Sequence, residues 1–395
     1  MMLEERQLHI NRILQKMQEA QVAACLVSTP VNTYYVLGRI VNGYTYLDLD
    51  GHLLVFVRRP ADLKASDLAL ADDCLFMIRK PEQLPGLLAE KGLALPPSLW
   101  VEGEEMPQSQ WARLSACFAS SKILNGSHAL RQARSVKTPR EQQLLRESAR
   151  LHEAVYRQIP QVFRPGMTER ELVVEIEYLM RKGGCLGLFR TYGNDMEAYM
   201  GSLLSGDNAA VSSPYDFALG GAGHPSNPIG ATDTPIREGQ SILIDMCGNF
   251  TGYMDDLSRC YSVGRLPEAA YRAHQTALEV QAYIQEQLRP GNVCGEIYNG
   301  ALDIVRRAGL ADRFMGKAQQ ARFVGHGTGL VINELPVLAP RMNEVLQAGM
   351  VLAVEPKIII DGVGAVGTEN TFIVTEQGGD KLSTLSDEIV DLTDN

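Results

Sequence analysis

Two carboxylates stand where strand-like apolar runs should carry none. Ser241-Ile242-Leu243-Ile244-Asp245-Met246 reads as a buried strand, yet it presents an acid at Asp245. A polar turn at 249–252 follows, and 253–261 returns as a second strand containing Asp255 and Asp256. Asp245 and Asp256 are symmetric about that turn, so an antiparallel hairpin makes them neighbours on one side of the sheet. Like charges so placed destabilise each other unless a cation lies between them, and a metal ion satisfies both.

The construction recurs near the C-terminus. The run 350–355 is apolar and ends in Glu355, Asp361-Gly362 is a turn signal, and 366–374 contains Glu369. Glu355 and Glu369 are symmetric about Gly362. Between the two hairpins lies Gly325-His326-Gly327-Thr328-Gly329, whose glycines let backbone approach the imidazole closely. A histidine beside four carboxylates adds the nitrogen ligand that Mn, Fe, Co and Zn accept. Asp245, Asp256, His326, Glu355 and Glu369 suffice to hold two divalent ions about 3.5–4 Å apart with a bridging hydroxide.

The rest of the chain must position these groups. Its 395 residues suggest more than one domain, and 45% hydrophobic with 21% charged residues is ordinary for a globular protein. A formal net charge of -10 speaks against nucleic acid or an anionic membrane as partner. No apolar run approaches the roughly 20 residues of a membrane span. The seven cysteines are scattered without a CxxC pair, the pattern of reduced thiols, and cytoplasm is the expected location.

Up to about residue 130 the pattern is α/β. It has a helical start at Ile10, Ile13, Leu14 and Met17, strands at 22–27, 53–57 and 98–101, and helices at 82–91 and 108–117. Thr138-Pro139-Arg140-Glu141 is a strong helix start, with Leu144, Ser148, Leu151 and Val155 expected along one face, and Thr168-Glu169-Arg170-Glu171 is a second start. The expected division is 1–130 and 131–395.

With these residues in hand, the chain resembles the pita-bread metallopeptidases: Xaa-Pro aminopeptidases, Xaa-Pro dipeptidases and, more distantly, creatinase and methionine aminopeptidases. The likeness is carried by the segments 238–245 and 252–259, by Gly325-His326-Gly327-Thr328-Gly329, by Ala353-Val354-Glu355-Pro356 and by Gly367-Thr368-Glu369-Asn370. It extends to Arg134-Ser135-Val136-Lys137, Arg164-Pro165-Gly166-Met167-Thr168-Glu169 and Ser205-Gly206-Asp207-Asn208-Ala209-Ala210. The resemblance implies a creatinase-type α/β N-terminal domain and an α+β pita-bread catalytic domain, an antiparallel sheet with flanking helices. It also implies two divalent ions (Mn, Co, Zn or Fe), a proline-containing peptide substrate and a homodimer. In its mechanism a bridging hydroxide attacks the carbonyl, and Glu355 shuttles the proton to the leaving amine.

Four positions depart from the family pattern. Asn333 stands where histidine is usual, and its amide can donate a neutral hydrogen bond to a developing oxyanion. Gly367 replaces the usual arginine, and Lys357 replaces the glycine usual after Glu-Pro. A second family histidine is missing after Asn208-Ala209-Ala210; His224 could replace it if 211–228 forms a longer loop, or could be merely solvated. Two rival readings follow. One uses the same metal site on a small non-peptide molecule, as in lyases or amidinohydrolases on this fold; the other is a non-catalytic peptide-binding module.

Overall fold

A computed structural model of the chain describes residues 3–193, 196–215 and 217–393. It divides into two compact units, Met1–Arg134 and Ser135–Asn395. Among the described residues no helix is long and apolar enough to cross a membrane.

The first unit is built on a six-stranded mixed sheet in the order Leu75–Met77, Leu53–Arg59, Asn42–Asp48, Ala24–Val27, Ser98–Val101, Lys122–Asn125. Ala24–Val27 runs parallel to Ser98–Val101 and antiparallel to Asn42–Asp48. Leu26, Phe56, Leu99, Val101, Leu114 and Phe118 form its core, fully removed from water. The α/β expectation holds. Three of its strands were not anticipated: Leu75–Met77 is only three residues long, and Asn42–Asp48 and Lys122–Asn125 have polar or glycine-bearing ends and no clean apolar run.

The second unit has three sheets with flanking helices. A four-stranded sheet runs Val390–Asp391, Met254–Ser262, Ser241–Asn249, Gly201–Ser205. A five-stranded sheet runs Glu334–Leu338, Gly325–Gly327, Val351–Val354, Asn370–Thr375, Gly378–Lys381, and Lys357–Ile360 pairs with Gly364–Gly367. All these neighbours are antiparallel except the short Val390–Asp391, so the expected architecture is the observed one.

Helices Pro139–Tyr156 and Glu169–Lys182 begin where the sequence places them, each with a reciprocal capping box. Thr138 Oγ1 accepts from the Glu141 N–H at 3.2 Å, and Thr168 Oγ1 from that of Glu171 at 3.1 Å. The buried face of the first helix is centred on Leu145, Ser148, His152 and Tyr156 instead of Leu144 and Leu151. The reason is polar: His152 Nδ1 meets Asp255 Oδ2 at 3.0 Å, and Tyr156 donates to the Ile244 carbonyl at 3.2 Å. An apolar count therefore puts the stripe one residue off.

Strand Ser241–Asn249 is buried on both faces. Ile242, Ile244 and Met246 pack with Tyr156, Ile176, Leu203 and Leu257. Leu243 and, from the next strand, Cys260 face the other core with Val280, Leu352 and Phe372. Alternation thus sends Asp245 and Asp256 to that second face and Asp255 to the helix side.

Candidate metal centre

In the first hairpin Asp245 pairs with Ser258 and Asp256 with Cys247. The two aspartates are therefore diagonal neighbours on one face, not directly opposite as expected. Asn249 continues the strand and pairs with Met254, so the turn sits one residue later than its polar composition suggested. A one-residue shift of the turn moves every pair by two and keeps the face.

The second hairpin is in the register that its turn predicts. Val351 pairs with Ile373, Val354 with Asn370, Lys357 with Gly367 and Ile360 with Gly364. One register runs through all of these, and in it position 355 faces position 369. At that level the ladder breaks. Pro356 has no N–H to give, the Glu355 N–H donates to the Val324 carbonyl at 3.0 Å, and the Glu369 N–H donates to the Ser258 carbonyl at 3.1 Å. The break stitches both glutamates to neighbouring strands.

His326 enters from the strand between. A Cβ on Gly325 would lie 2.5 Å from the Ala353 carbonyl oxygen, and one on Gly327 would lie 2.2 Å from that of Leu335, so flanking side chains are excluded. His326 Nδ1 lies 3.1 Å from the Gly327 carbonyl oxygen, a partner that holds a proton on Nδ1 and turns Nε2 toward the carboxylates. Nε2 is 3.3 Å from Glu355 Oε1 and 3.7 Å from Asp256 Oδ2. The five residues singled out by their spacing are thus brought together.

Two sets of ligand atoms lie within 4.8 Å of one another: Asp256, His326 and Glu369, and Asp245, Glu355 and Glu369. Ser258 Oγ donates to Glu369 Oε2 at 2.5 Å, while Glu369 Oε1 is buried with no hydrogen-bond partner. Such an atom is costly unless a cation or donor meets it. The first set, two carboxylates and one imidazole with an unpartnered oxygen on Glu369, fits one divalent ion.

The second set does not fit another. Lys357, fully buried, places Nζ 2.6 Å from Asp245 Oδ2, 2.6 Å from Glu355 Oε2 and 3.6 Å from Glu369 Oε2. It reaches them because it lies two residues from Glu355 and projects from the same face. Across the ladder Gly367 has φ 148°, and a Cβ there would sit 2.2 Å from the Pro356 carbonyl oxygen, so no arginine fits this backbone. Lys357 thus stands on the opposite strand from the position where arginine is usual.

Electrostatics follow from this arrangement. Burial alone would lower the Lys357 ammonium, but Asp245, Glu355 and Glu369 hold it well above its ordinary value. Burial would raise Glu355, but Lys357 and His326 hold it below the usual carboxylate range. Burial, then Glu355 and Asp245, pushes Glu369 up to about 8. His326, which burial would lower, is raised to about 9 by Glu355 and Glu369. Asp256 is pushed well up by burial and by Glu369, Asp245 and Glu355. Burial and mutual repulsion thus favour the protonated form of Asp256 and Glu369 in the absence of a divalent ion.

The other two anticipated residues make local contacts of their own. Asn333 Oδ1 accepts from the Tyr192 N–H at 2.7 Å and Nδ2 donates to the Tyr192 carbonyl at 3.3 Å, so its amide is spent on that backbone. His224 is exposed, its Nδ1 2.7 Å from Ser226 Oγ within its own turn. The structure does not bring it into the acidic cluster. Residues the sequence did not single out are Ser258 and Thr371, whose Oγ1 accepts from the Asp256 N–H and donates to the Asp256 carbonyl, both at 3.1 Å. Arg259 is another, donating to the Glu369 carbonyl at 2.8 Å. The signal for Lys357 was present: a lysine opening the run Ile358-Ile359-Ile360 is out of place unless paired.

Residues 143–376 match metallopeptidase family M24, and residues 9–136 match the creatinase/prolidase N-terminal domain. The chain belongs to metallopeptidase family M24. An Xaa-Pro dipeptidase of Pyrococcus furiosus is 24% identical over 387 residues, covering 96% of this chain and 99% of that one. An uncharacterised peptidase of Bacillus subtilis is 25% identical over 293 residues, 74% of each. Among solved M24-like structures, the X-Pro aminopeptidase of Thermotoga maritima superposes with a TM-score of 0.78 at 22% identity, covering 97% of this chain and 99% of that one. The Xaa-Pro dipeptidase of Bacillus anthracis superposes at 0.80 with 21% identity, covering 98% and 99%. This M24 chain therefore shares the fold of those enzymes along nearly its whole length.

Proposed function

We propose that this chain is a metal-dependent peptidase that hydrolyses the bond preceding proline in a small peptide, acting as an Xaa-Pro dipeptidase or aminopeptidase. The observation that carries the reading is the buried, unpartnered Oε1 of Glu369, a residue clustered with Asp256 and His326 in a chain of family M24. Asp256, His326 and Glu369 are the proposed holders of a divalent ion. When bound, that ion would lower the pKa of a water and polarise the scissile carbonyl.

The remaining steps belong to the chain's own groups. Glu355 is the proposed proton shuttle: Lys357 grips Oε2, which leaves Oε1, beside His326, as the oxygen that takes a proton and passes it to the leaving amine. Asp245 is the second anchor of Lys357. Asn333, through Tyr192, shapes the segment beside it. Mn, Fe, Co and Zn all suit one imidazole with carboxylates. A homodimer in the cytoplasm remains part of the proposal, and the seven free cysteines agree with a reducing compartment.

A panel of Xaa-Pro dipeptides and tripeptides, with Mn, Co, Zn or Fe supplied, tests the reading. Cleavage of dipeptides alone marks a dipeptidase, and cleavage of tripeptides an aminopeptidase. If no Xaa-Pro peptide is cleaved with any metal while the ion still binds, the peptidase reading fails. A small non-peptide substrate then takes its place, an outcome favoured by the changed positions Lys357 and Gly367. Absence of metal binding would leave only the peptide-binding module.

A further inference from the structure

We propose that the Lys357 ammonium permanently takes the place of one of the two cations, so that this chain holds a single divalent ion at Asp256, His326 and Glu369. The inference rests on the metal-dependent reading above and changes what that centre contains. Its first support is coincidence of place. The three carboxylates that Nζ meets at 2.6, 2.6 and 3.6 Å are the three that form the second set of ligand atoms. A metal bound to those oxygens would stand about 2.0–2.6 Å from them, in the space Nζ fills.

Its second support is that the lysine cannot easily leave. It is fully buried, its residue is paired with Gly367 in the ladder, and its carbonyl accepts from the Met315 N–H at 2.8 Å. The ammonium is neutralised where it stands, and departure would strand it among Ile358, Ile359 and Val366. The third support is the asymmetry of the two sets. Glu369 Oε2 accepts from Ser258 Oγ and lies 3.6 Å from Lys357 Nζ, while Oε1 is buried without a hydrogen-bond partner.

The substitution changes the chemistry available. An ammonium carries one charge and three donors and has no open coordination position. A solvent oxygen shared by two metals then has no second metal to share, so the bridging nucleophile expected from the resemblance is replaced by a single-ion arrangement flanked by a fixed N–H donor.

The test is metal stoichiometry on the purified full-length chain, stripped with chelator and titrated with Mn(II). Elemental analysis and native mass spectrometry would count ions, and electron paramagnetic resonance would separate isolated from spin-coupled Mn. Wild type should take one ion per chain with an uncoupled spectrum, and Lys357→Gly should take two with a coupled one. Asp245→Asn should keep the single ion of wild type, whereas Asp256→Asn should lose it. Circular dichroism checks each variant's fold, and the wild-type count stands even if Lys357→Gly fails to fold. Two ions in wild type, or loss of the ion in Asp245→Asn, would overturn the inference and leave the proposed function standing. One ion in a folded Lys357→Gly would overturn it as well. No ion in either protein would overturn both.

Discussion

Lys357→Met keeps the length of the side-chain stem and removes the charge. In the absence of metal it leaves Asp245, Glu355 and Glu369 facing one another without the ammonium between them, two of them buried and Asp245 partly so. Removing one partner of a buried ion pair costs about 3–5 kcal/mol, because the other charge stays behind uncompensated. At about 2–4 °C per kcal/mol for a domain of this size, the metal-free variant should melt roughly 6–20 °C below wild type. The loss should be largest near pH 8 and shrink as the pH falls, since protonation of Glu355 and Glu369 relieves the repulsion. Added Mn(II) should stabilise wild type and variant alike through Asp256, His326 and Glu369, since an ion at a hundredfold excess over its Kd contributes about 2.7 kcal/mol. Differential scanning calorimetry with and without chelator measures both effects. A metal-free variant melting within about 1 °C of wild type at pH 8 would refute the idea that the ammonium holds these carboxylates together.

Glu369→Ala should lose metal and activity together while circular dichroism stays unchanged, and full metal occupancy in that variant would remove Glu369 from the ligand set. Metal uptake near pH 7 should release protons, because His326 at about 9 and Glu369 at about 8 are largely protonated without the ion. Affinity should therefore rise as pH climbs through 8 to 9, and calorimetry in buffers of different ionisation enthalpy should show a buffer-dependent heat; identical heats would contradict it. Asn333→Ala should weaken amide protection around Tyr192 and raise KM, with kcat reduced no more than about tenfold, as expected for loss of hydrogen bonds worth about 1 kcal/mol each. A fall of about 10²–10³ in kcat at constant KM would instead return Asn333 to the oxyanion.

What the sequence made legible depends on how sharply each signal specifies geometry. Asp361-Gly362 admits one tight turn, so the pairing of 355 with 369 could be read directly, and Gly362 duly has φ 74°. The polar stretch from Asn249 admits more than one turn, and there the reading erred by a residue while the shared face of Asp245 and Asp256 survived. The capping boxes at Thr138 and Thr168 were exact because they are local. Lys357 was noticed as a departure, but its meaning lies in three side chains together: one two residues away, one across the hairpin and one over a hundred residues upstream. Asn333 and His224 depend on the paths of loops, which residue types do not specify.

The unbroken register of the second hairpin constrains how this protein can change over evolutionary time. The two-residue interruption at Glu355-Pro356 and Thr368-Glu369 sits inside one ladder whose pairs on both sides keep the same alignment. Because side chains alternate faces residue by residue, a single-residue insertion or deletion in one arm between 355 and 369 would turn Glu369, or Lys357, to the wrong side of the sheet. Length change is then confined to the turn at Asp361-Gly362, or to compensated pairs that keep parity. The hairpin is in this sense a ruler: point substitutions along it are open to selection one at a time, but its length is not.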